Sequence, residues 1–216
     1  MGARSATKTK PGRPLKPLIT REAAVKAAID LLDREGIDAL SVQAVARAMS
    51  VTAPSLYYHF KDKDELLQLV ARTLLREVGQ NVELGTGWKE RAIALAVATR
   101  RMILRHPEAA PLMLRYFPRS LMLGAYESTL SECPYPPRHQ VAILEALEKL
   151  TYGASLFAAA AEAHHVPAMP AFDTGRYPRL AAALQAGPSD EALFVETIEL
   201  LFDGFAARYG SEGTGS

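Results

Sequence analysis

The sequence predicts an all-α protein: a three-helix N-terminal helix-turn-helix domain joined to a larger helical domain. Three observations predict it. Apolar residues recur at i, i+3, i+4, i+7 in one segment after another, the spacing of a buried helix face. Pro and Gly punctuate these segments, and Ser, Thr or Asp stands where helices would start. No segment alternates apolar and polar residues like a half-buried strand, and no internal repeat is present. With 216 residues, 49% of them hydrophobic, the chain can bury a substantial core in one or two domains.

The first helix reads TREAAVKAAIDLLDREG. Thr20 caps its start, and Val25, Ala28, Ile29 and Leu32 form one stripe. Gly36 stops it, with Ile37 as the apolar residue that follows a glycine C-cap. The second helix runs from Ser41 to Ser50. Ser41 is its N-cap, and Val42, Val45, Ala46 and Met49 face inward. Ser50, Val51 and Thr52 form the turn. Thr52 is placed to cap the third helix, where Pro54 sits in the first turn and its missing N–H costs little.

Leu56 and Phe60 are i, i+4 partners that both point inward. At about 100° per residue, Pro54 and Tyr58 then point outward, flanked by Ser55 and Tyr57. A helix face with a hydroxyl, two phenols and a proline suits a DNA groove, because polar tips reach base edges and phosphates while apolar parts meet thymine methyls. The alternative is that Tyr57 and Tyr58 cover a neighbouring helix; the surrounding helix-turn-helix favours the groove. The fourth helix opens at Asp62-Lys63-Asp64-Glu65, where Asp62 as N-cap and Glu65 resemble a capping box. Lys63 at that helix start makes a phosphate clamp, against the plainer reading of Lys61 and Lys63 as a solvated turn.

Across about residues 20–84 the chain resembles the tetracycline-repressor (TetR) family of transcriptional regulators. The resemblance rests on TREAAVKAAIDLLDREG, IDALSVQAVARAMSV and TAPSLYYHFKDKDELL, with SLYYHFKDKDEL the most specific part. Ser50 departs from the glycine usual at this turn and carries a modest strain there. The resemblance implies double-stranded DNA as a partner. Gln43, Ser55, Tyr57 and Tyr58 are expected to read or approach bases. Thr52, His59 and Lys63 are expected to hold the backbone, and Ser41, Ala53 and Pro54 complete the contact set.

The net charge of +1 hides an asymmetry. Residues 1–21 hold six bases (Arg4, Lys8, Lys10, Arg13, Lys16 and Arg21) and no acid; the rest of the chain then has 19 bases against 24 acids, a balance of −5. Residues 1–19 read as a basic, disordered arm. Either it tracks phosphates or enters the minor groove, with Arg13 the leading contact, or it is a solubilising tail that touches nothing.

The remainder, 66–216, reads as an effector-binding and dimerisation domain behind the 20–65 DNA-binding domain. Gly85-Thr86-Gly87 closes the fourth helix. A helix runs from Trp88 to Arg105 and ends near His106-Pro107; Pro111 and Pro118 interrupt the next part. Helices follow at about 120–132, 138–163, 177–184 and, capped by Ser189, 189–209, with loops at 133–137 and 166–170. The last helix carries Phe194, Ile198, Leu201, Phe202 and Phe205 on one stripe. The long one ends in small residues from Gly153 to Ala161. Such surfaces suit a homodimer packed as a four-helix bundle, which TetR-like proteins form; alternatively both stripes face only their own core. A two-fold dimer would set two reading helices about 34–36 Å apart.

TetR-like regulators bind a small molecule in the middle of the chain. Met102, His106, Met113, Tyr116, Phe117, Met122, Tyr126, Tyr152 and Phe157 are candidate lining residues, as against ordinary core. Met and aromatic side chains suit an apolar or aromatic ligand. The segment LRHPEAAPLML also resembles the C-terminal domain of the tetracycline-responsive branch.

The function expected is a ligand-responsive repressor released from a palindromic operator by a small apolar or aromatic molecule. An activator or an effector-independent regulator of the same fold is the alternative. A helical protein-interaction module whose basic arm binds an acidic partner is the rival from another class. No catalytic residue and no cofactor is expected: GxSxG, a P-loop and GxGxxG are all missing from the sequence. His164 and His165 diverge by about 100° on a helix and share no metal readily, so no metal site is expected. One cysteine, no signal peptide and no membrane-spanning run predict a cytoplasmic protein.

Overall fold

The computed structural model describes residues 19–80, 82–83, 85–116, 119–167 and 169–210. The expected arm, with Arg13, and the candidate Phe117 lie outside these residues. Among the described residues the fold is helical throughout, with no strand. The helices are α1 (Arg21–Ala39), α2 (Val42–Ala48), α3 (Ala53–Tyr57), α4 (Lys63–Gln80), α5 (Trp88–Arg105), α6 (Ala110–Arg115), α7 (Arg119–Ser131), α8 (Pro137–Ala163), α9 (Pro178–Ala186) and α10 (Asp190–Tyr209). A single 3₁₀ turn, Pro107–Ala109, joins α5 to α6. None of the described helices is long and apolar enough to cross a membrane.

Local chemistry sets most boundaries. The Thr20 hydroxyl accepts the Ala23 N–H at 3.0 Å, and the Ser41 hydroxyl accepts that of Ala44 at 3.1 Å. Gly36 adopts φ 77°, a left-handed conformation that ends the regular part of α1, and a short turn carries the chain on to Ala39. Asp62 accepts the Glu65 N–H at 2.9 Å, while the Glu65 carboxylate reaches back to the Lys61 N–H at 2.8 Å, one residue earlier than in a standard capping box. Two expected caps are not made. Thr52 and Ser189 stand at N-cap positions without a side-chain bond to the backbone, and the Thr52 hydroxyl instead meets that of Ser55 at 2.7 Å. Pro111 starts a helix rather than interrupting one, because it falls within the first turn of α6, where no N–H donor is needed.

Two apolar cores hold these helices. The first joins the inner faces of α1 to α4 to Met102, Ile103, Leu112, Met113 and Ala159. It therefore runs without a break across the expected domain boundary at 65/66. The second gathers Ala92, Ala96 and Ile143 around Phe194, Ile198, Phe202 and Phe205. This corrects one expectation: the aromatic stripe of α10 is spent on the chain's own core and does not form an outer surface. Trp88 locks this core, its ring edge-on to Phe202 at 5.1 Å and its indole N–H donating to the Thr129 carbonyl at 2.7 Å. Arg100, almost wholly buried, pins α5 to the start of α10 by pairing with Asp190 and lying 5.0 Å over the Phe194 ring.

Candidate nucleic-acid interface and interhelical cavity

The turn between α2 and α3 is tight. The Ser50 N–H reaches the Arg47 carbonyl at 3.0 Å, and the Val51 N–H reaches that of Ala46 at 2.9 Å. Closing it puts Ser50 at φ 55°, the strained left-handed region anticipated for that residue. The chain then re-enters as α3, and Leu56 within it and Phe60 just past its end are wholly buried. Those two anchors fix the rotation of the helix. Tyr58 stands 90% exposed and Tyr57 46% exposed, with Pro54 also outward.

Around them, Gln43, Thr52 and Lys63 are exposed, while Ser41, Ser55 and His59 are half-buried. Ala53 packs partly against the core, so it offers only part of its surface. His59 is steadied by its neighbour Phe60, their ring centroids 6.4 Å apart. Arg21 ties this face to α1, pairing with Glu65 and lying 5.6 Å over the Phe60 ring. Lys63 projects into solvent from a helix start where the Glu65 and Lys61 N–H groups are already taken by carboxylates, so its ammonium is what this corner can offer a phosphate. Arg47, in the last turn of α2, is also exposed and was missed in the sequence, because a lone arginine between alanines carries no positional signal.

Beyond the shared core and the Arg115–Asp64 pair, two expected ligand residues tie this head to the larger domain. His106, at the end of α5, faces the Asp33 carboxylate of α1 at 2.8 Å. Tyr116, just after α6, donates its hydroxyl to Asp64 in the first turn of α4. That bond, foremost, holds the Asp64 carboxyl below its usual value, and burial together with the same bond raises the Tyr116 phenol.

The expected ligand residues do not all meet. Met122, Tyr126 and Tyr152 line one cavity of about 90 Å³ between α5, α7 and α8. It adjoins cavities of about 230 and 170 Å³, all three bordered by Leu95 and Ala125. Met102 borders an open groove between α4 and α5, which meets the two adjoining cavities at Val78 and Val82. Met113 is core, His106 and Tyr116 are the tethers just described, and Phe157 is 82% exposed on the outside of α8. Thr99, Thr129, Thr151 and Glu148 also line the first cavity and were missed. The signal available was a polar interruption in the inward stripe of α8, where Glu148 and Thr151 stand at helical spacing from Leu144. Tyr126 donates its hydroxyl to Glu148 at 2.8 Å, and burial is the first cause that raises both the Tyr126 and Tyr152 phenols. Among the described residues no group of three or more His, Cys, Asp or Glu side chains gathers to hold a metal.

Comparison with known proteins gives a consistent result. Residues 24–70 match the bacterial regulatory proteins of the tetR family, and residues 82–209 match the tetracyclin repressor-like C-terminal domain. An HTH-type transcriptional regulator of Saccharopolyspora erythraea is 38% identical over 124 residues, which is 52% of either chain, so the match spans about half of that relative. The class D tetracycline repressor protein of Escherichia coli is 29% identical over 201 residues, 88% of this chain and 90% of its own. Among solved structures, a possible TetR family transcriptional regulator from Streptomyces coelicolor A3(2) superposes with a TM-score of 0.70 at 27% identity, covering 87% of this chain and 99% of its own.

Proposed function

The chain belongs to the TetR family of bacterial regulatory proteins and is a helix-turn-helix transcriptional regulator, and on that premise we propose that it is a homodimeric repressor released from a palindromic operator by a small molecule. The observation that carries the DNA-reading assignment is the contrast across α3 and the turn that follows it: Tyr58 is 90% exposed between Leu56 and Phe60, which are buried. Tyr57 and Tyr58, adjacent and both exposed beside buried anchors, form a contiguous aromatic patch of the kind that marks an interaction surface. Tyr57, Tyr58, Ser55 and Gln43 approach bases. Thr52, His59 and Lys63 hold phosphates. Ser41, Ala53 and Pro54 border them, and Arg13 on the arm adds backbone affinity.

One five-residue helix reads too few base pairs for a unique site, so two heads are required. With the aromatic stripe of α10 buried, the dimer face falls to the outer sides of α8 and α10. On α8, Phe157 stands among the small residues Gly153 and Ala160; on α10, Leu193 and Leu200 are exposed one above the other. Small residues beside an exposed aromatic permit the close helix approach of a four-helix interface.

The effector site is the cavity bounded by Met122, Tyr126 and Tyr152. Ligand entry parts α5, α7 and α8. The end of α5 is tied to α1 through His106, so a shift there moves a reading head relative to its partner and favours a dimer whose heads no longer fit successive grooves. The repressor sense draws on the names of relatives such as the class D tetracycline repressor protein and a repressor of Streptomyces coeruleorubidus.

Selection of bound fragments from genomic DNA by the purified protein tests the whole reading. It should recover one near-palindromic sequence bound with steep salt dependence. Binding without sequence preference at moderate salt would point instead to an interaction module with a basic arm.

A further inference from the structure

We infer that the effector carries a cationic or strongly hydrogen-bond-donating group, an ammonium or amidinium on an apolar or aromatic body, and that Glu148 receives it. The inference rests on the reading of the α5–α7–α8 cavity as the effector site. Its walls are apolar apart from the Glu148 carboxylate and five hydroxyls, two of which offer only acceptors. The Thr99 hydroxyl donates to the Leu95 carbonyl at 2.8 Å, and that of Thr129 to the Ala125 carbonyl at 2.8 Å. Each hydroxyl has one proton, so both turn only lone pairs toward the cavity.

Glu148 is the one charged residue among the described residues lining this cavity, and its side chain is only 13% exposed. Its carboxylate accepts from Tyr126 at 2.8 Å and from Arg119 at 3.2 Å. A carboxylate accepts about four hydrogen bonds, so capacity remains. Arg119 is 61% exposed, approaches from the solvent side and is shared with Glu145 at 3.3 Å. Arg119 regains hydration on release, and Glu148 keeps its Tyr126 bond while the ligand's cation takes the place of Arg119. The buried phenols of Tyr126 and Tyr152 stay protonated at neutral pH and add no competing negative charge. Arg76 and Arg91 border the two adjoining cavities, but Arg76 is exposed and Arg91 is engaged by Glu132.

Buried carboxylates penalise anions and reward cations, because Coulomb interactions strengthen where water is excluded. An anionic ligand would face the Glu148 charge, while the one cation beside it, Arg119, lies on the solvent side and is already shared with Glu145. A neutral apolar ligand would take water from the spare lone pairs of Glu148 and the threonines and give no donor in return, which costs affinity.

Three naphthalenes of equal body test this on the full chain by titration calorimetry: 1-naphthylmethylamine, which is an ammonium at neutral pH, 1-naphthylmethanol and 1-naphthylacetate. The ammonium should bind about tenfold or more tighter than the other two, the gain of a charge-assisted bond. Glu148→Gln should bring it to the level of the alcohol. Ala125→Phe, which fills a wall common to all three cavities, should weaken every probe. Equal affinities that Ala125→Phe still abolishes would overturn the charge assignment and leave the cavity as the effector site. A preference for the ammonium that survives Glu148→Gln would also overturn it. Failure of all three probes to bind would remove the cavity reading, and this inference with it. Should Glu148→Gln lose its thermal transition, the order of the three probes on the unmodified chain decides.

Discussion

His106 Nδ1 lies 2.8 Å from the Asp33 carboxylate, so the last residue before the α5–α6 turn holds the middle of α1. The His106 ring is largely buried while Asp33 keeps some contact with water. His106→Ala is expected to cost more than about 1 kcal/mol of stability, the net worth of a typical hydrogen bond plus the packing of a largely buried ring. Its more telling effect is on regulation. Operator affinity should stay within a few-fold of the unmodified chain, and the small-molecule concentration needed for release should rise. Anisotropy titrations with a labelled operator measure both quantities.

Tyr116 and Asp64 make the second tie, between the end of α6 and the first turn of α4 beside Lys63. Tyr116→Phe removes the donor and keeps the ring, so any change in release reports the bond itself. Its pH dependence has a defined sign. Asp64 has a carboxyl held below 3.8 in the fold, so the stabilisation is present above 3.8 and is lost as pH falls through the lower folded-state value. Acid unfolding of Tyr116→Phe, followed by circular dichroism, should show less loss below pH 3.8 than the unmodified chain.

Ser50 has φ 55°, and glycine adopts that conformation without the Cβ penalty of roughly 1–2 kcal/mol. Part of the gain is offset by about 0.4–1 kcal/mol of extra unfolded-state entropy. Ser50→Gly should therefore raise stability by about 0.5–1 kcal/mol in a urea titration, with operator affinity unchanged. A decrease would mean that the Ser50 side chain makes a stabilising contact of its own.

Phe157, exposed on α8, anchors the proposed dimer face. Phe157→Glu places a charge there at no cost to either apolar core. Sedimentation should find the variant monomeric and the unmodified chain dimeric. The monomer should also lose its preference for a palindrome over a half-site, because the two heads no longer act together.

The helix-turn-helix was legible because its determinants are local. Ser41, Leu56, Phe60 and Asp62 each act within four residues of their own position, at the range where periodicity and capping operate. The α10 stripe was legible as a buried face but not as to what buries it. Phe194 to Phe205 meet Ala92, Ala96 and Ile143, about 50 to 110 residues away, and no local pattern encodes that partner. The same limit applies to the cavity. Met122, Tyr126 and Tyr152 were found by residue type, whereas Glu148 and the threonines matter only because three distant helices converge on them. His106 and Tyr116 have the chemistry of ligand contacts, yet they are used as tethers because their partners come from α1 and α4.

The outward rotation of α3 is tested most directly by operator anisotropy with Tyr58→Ala beside the unmodified chain, over a series of salt concentrations. Lys63→Ala, measured alongside, should weaken all sequences alike and lower the salt slope by about one. Tyr58→Ala should lose site-selective binding while its thermal transition stays within about 0.5 kcal/mol of the original, since the ring is almost wholly in solvent. Full site-selective affinity in Tyr58→Ala would contradict the assignment of this face to DNA.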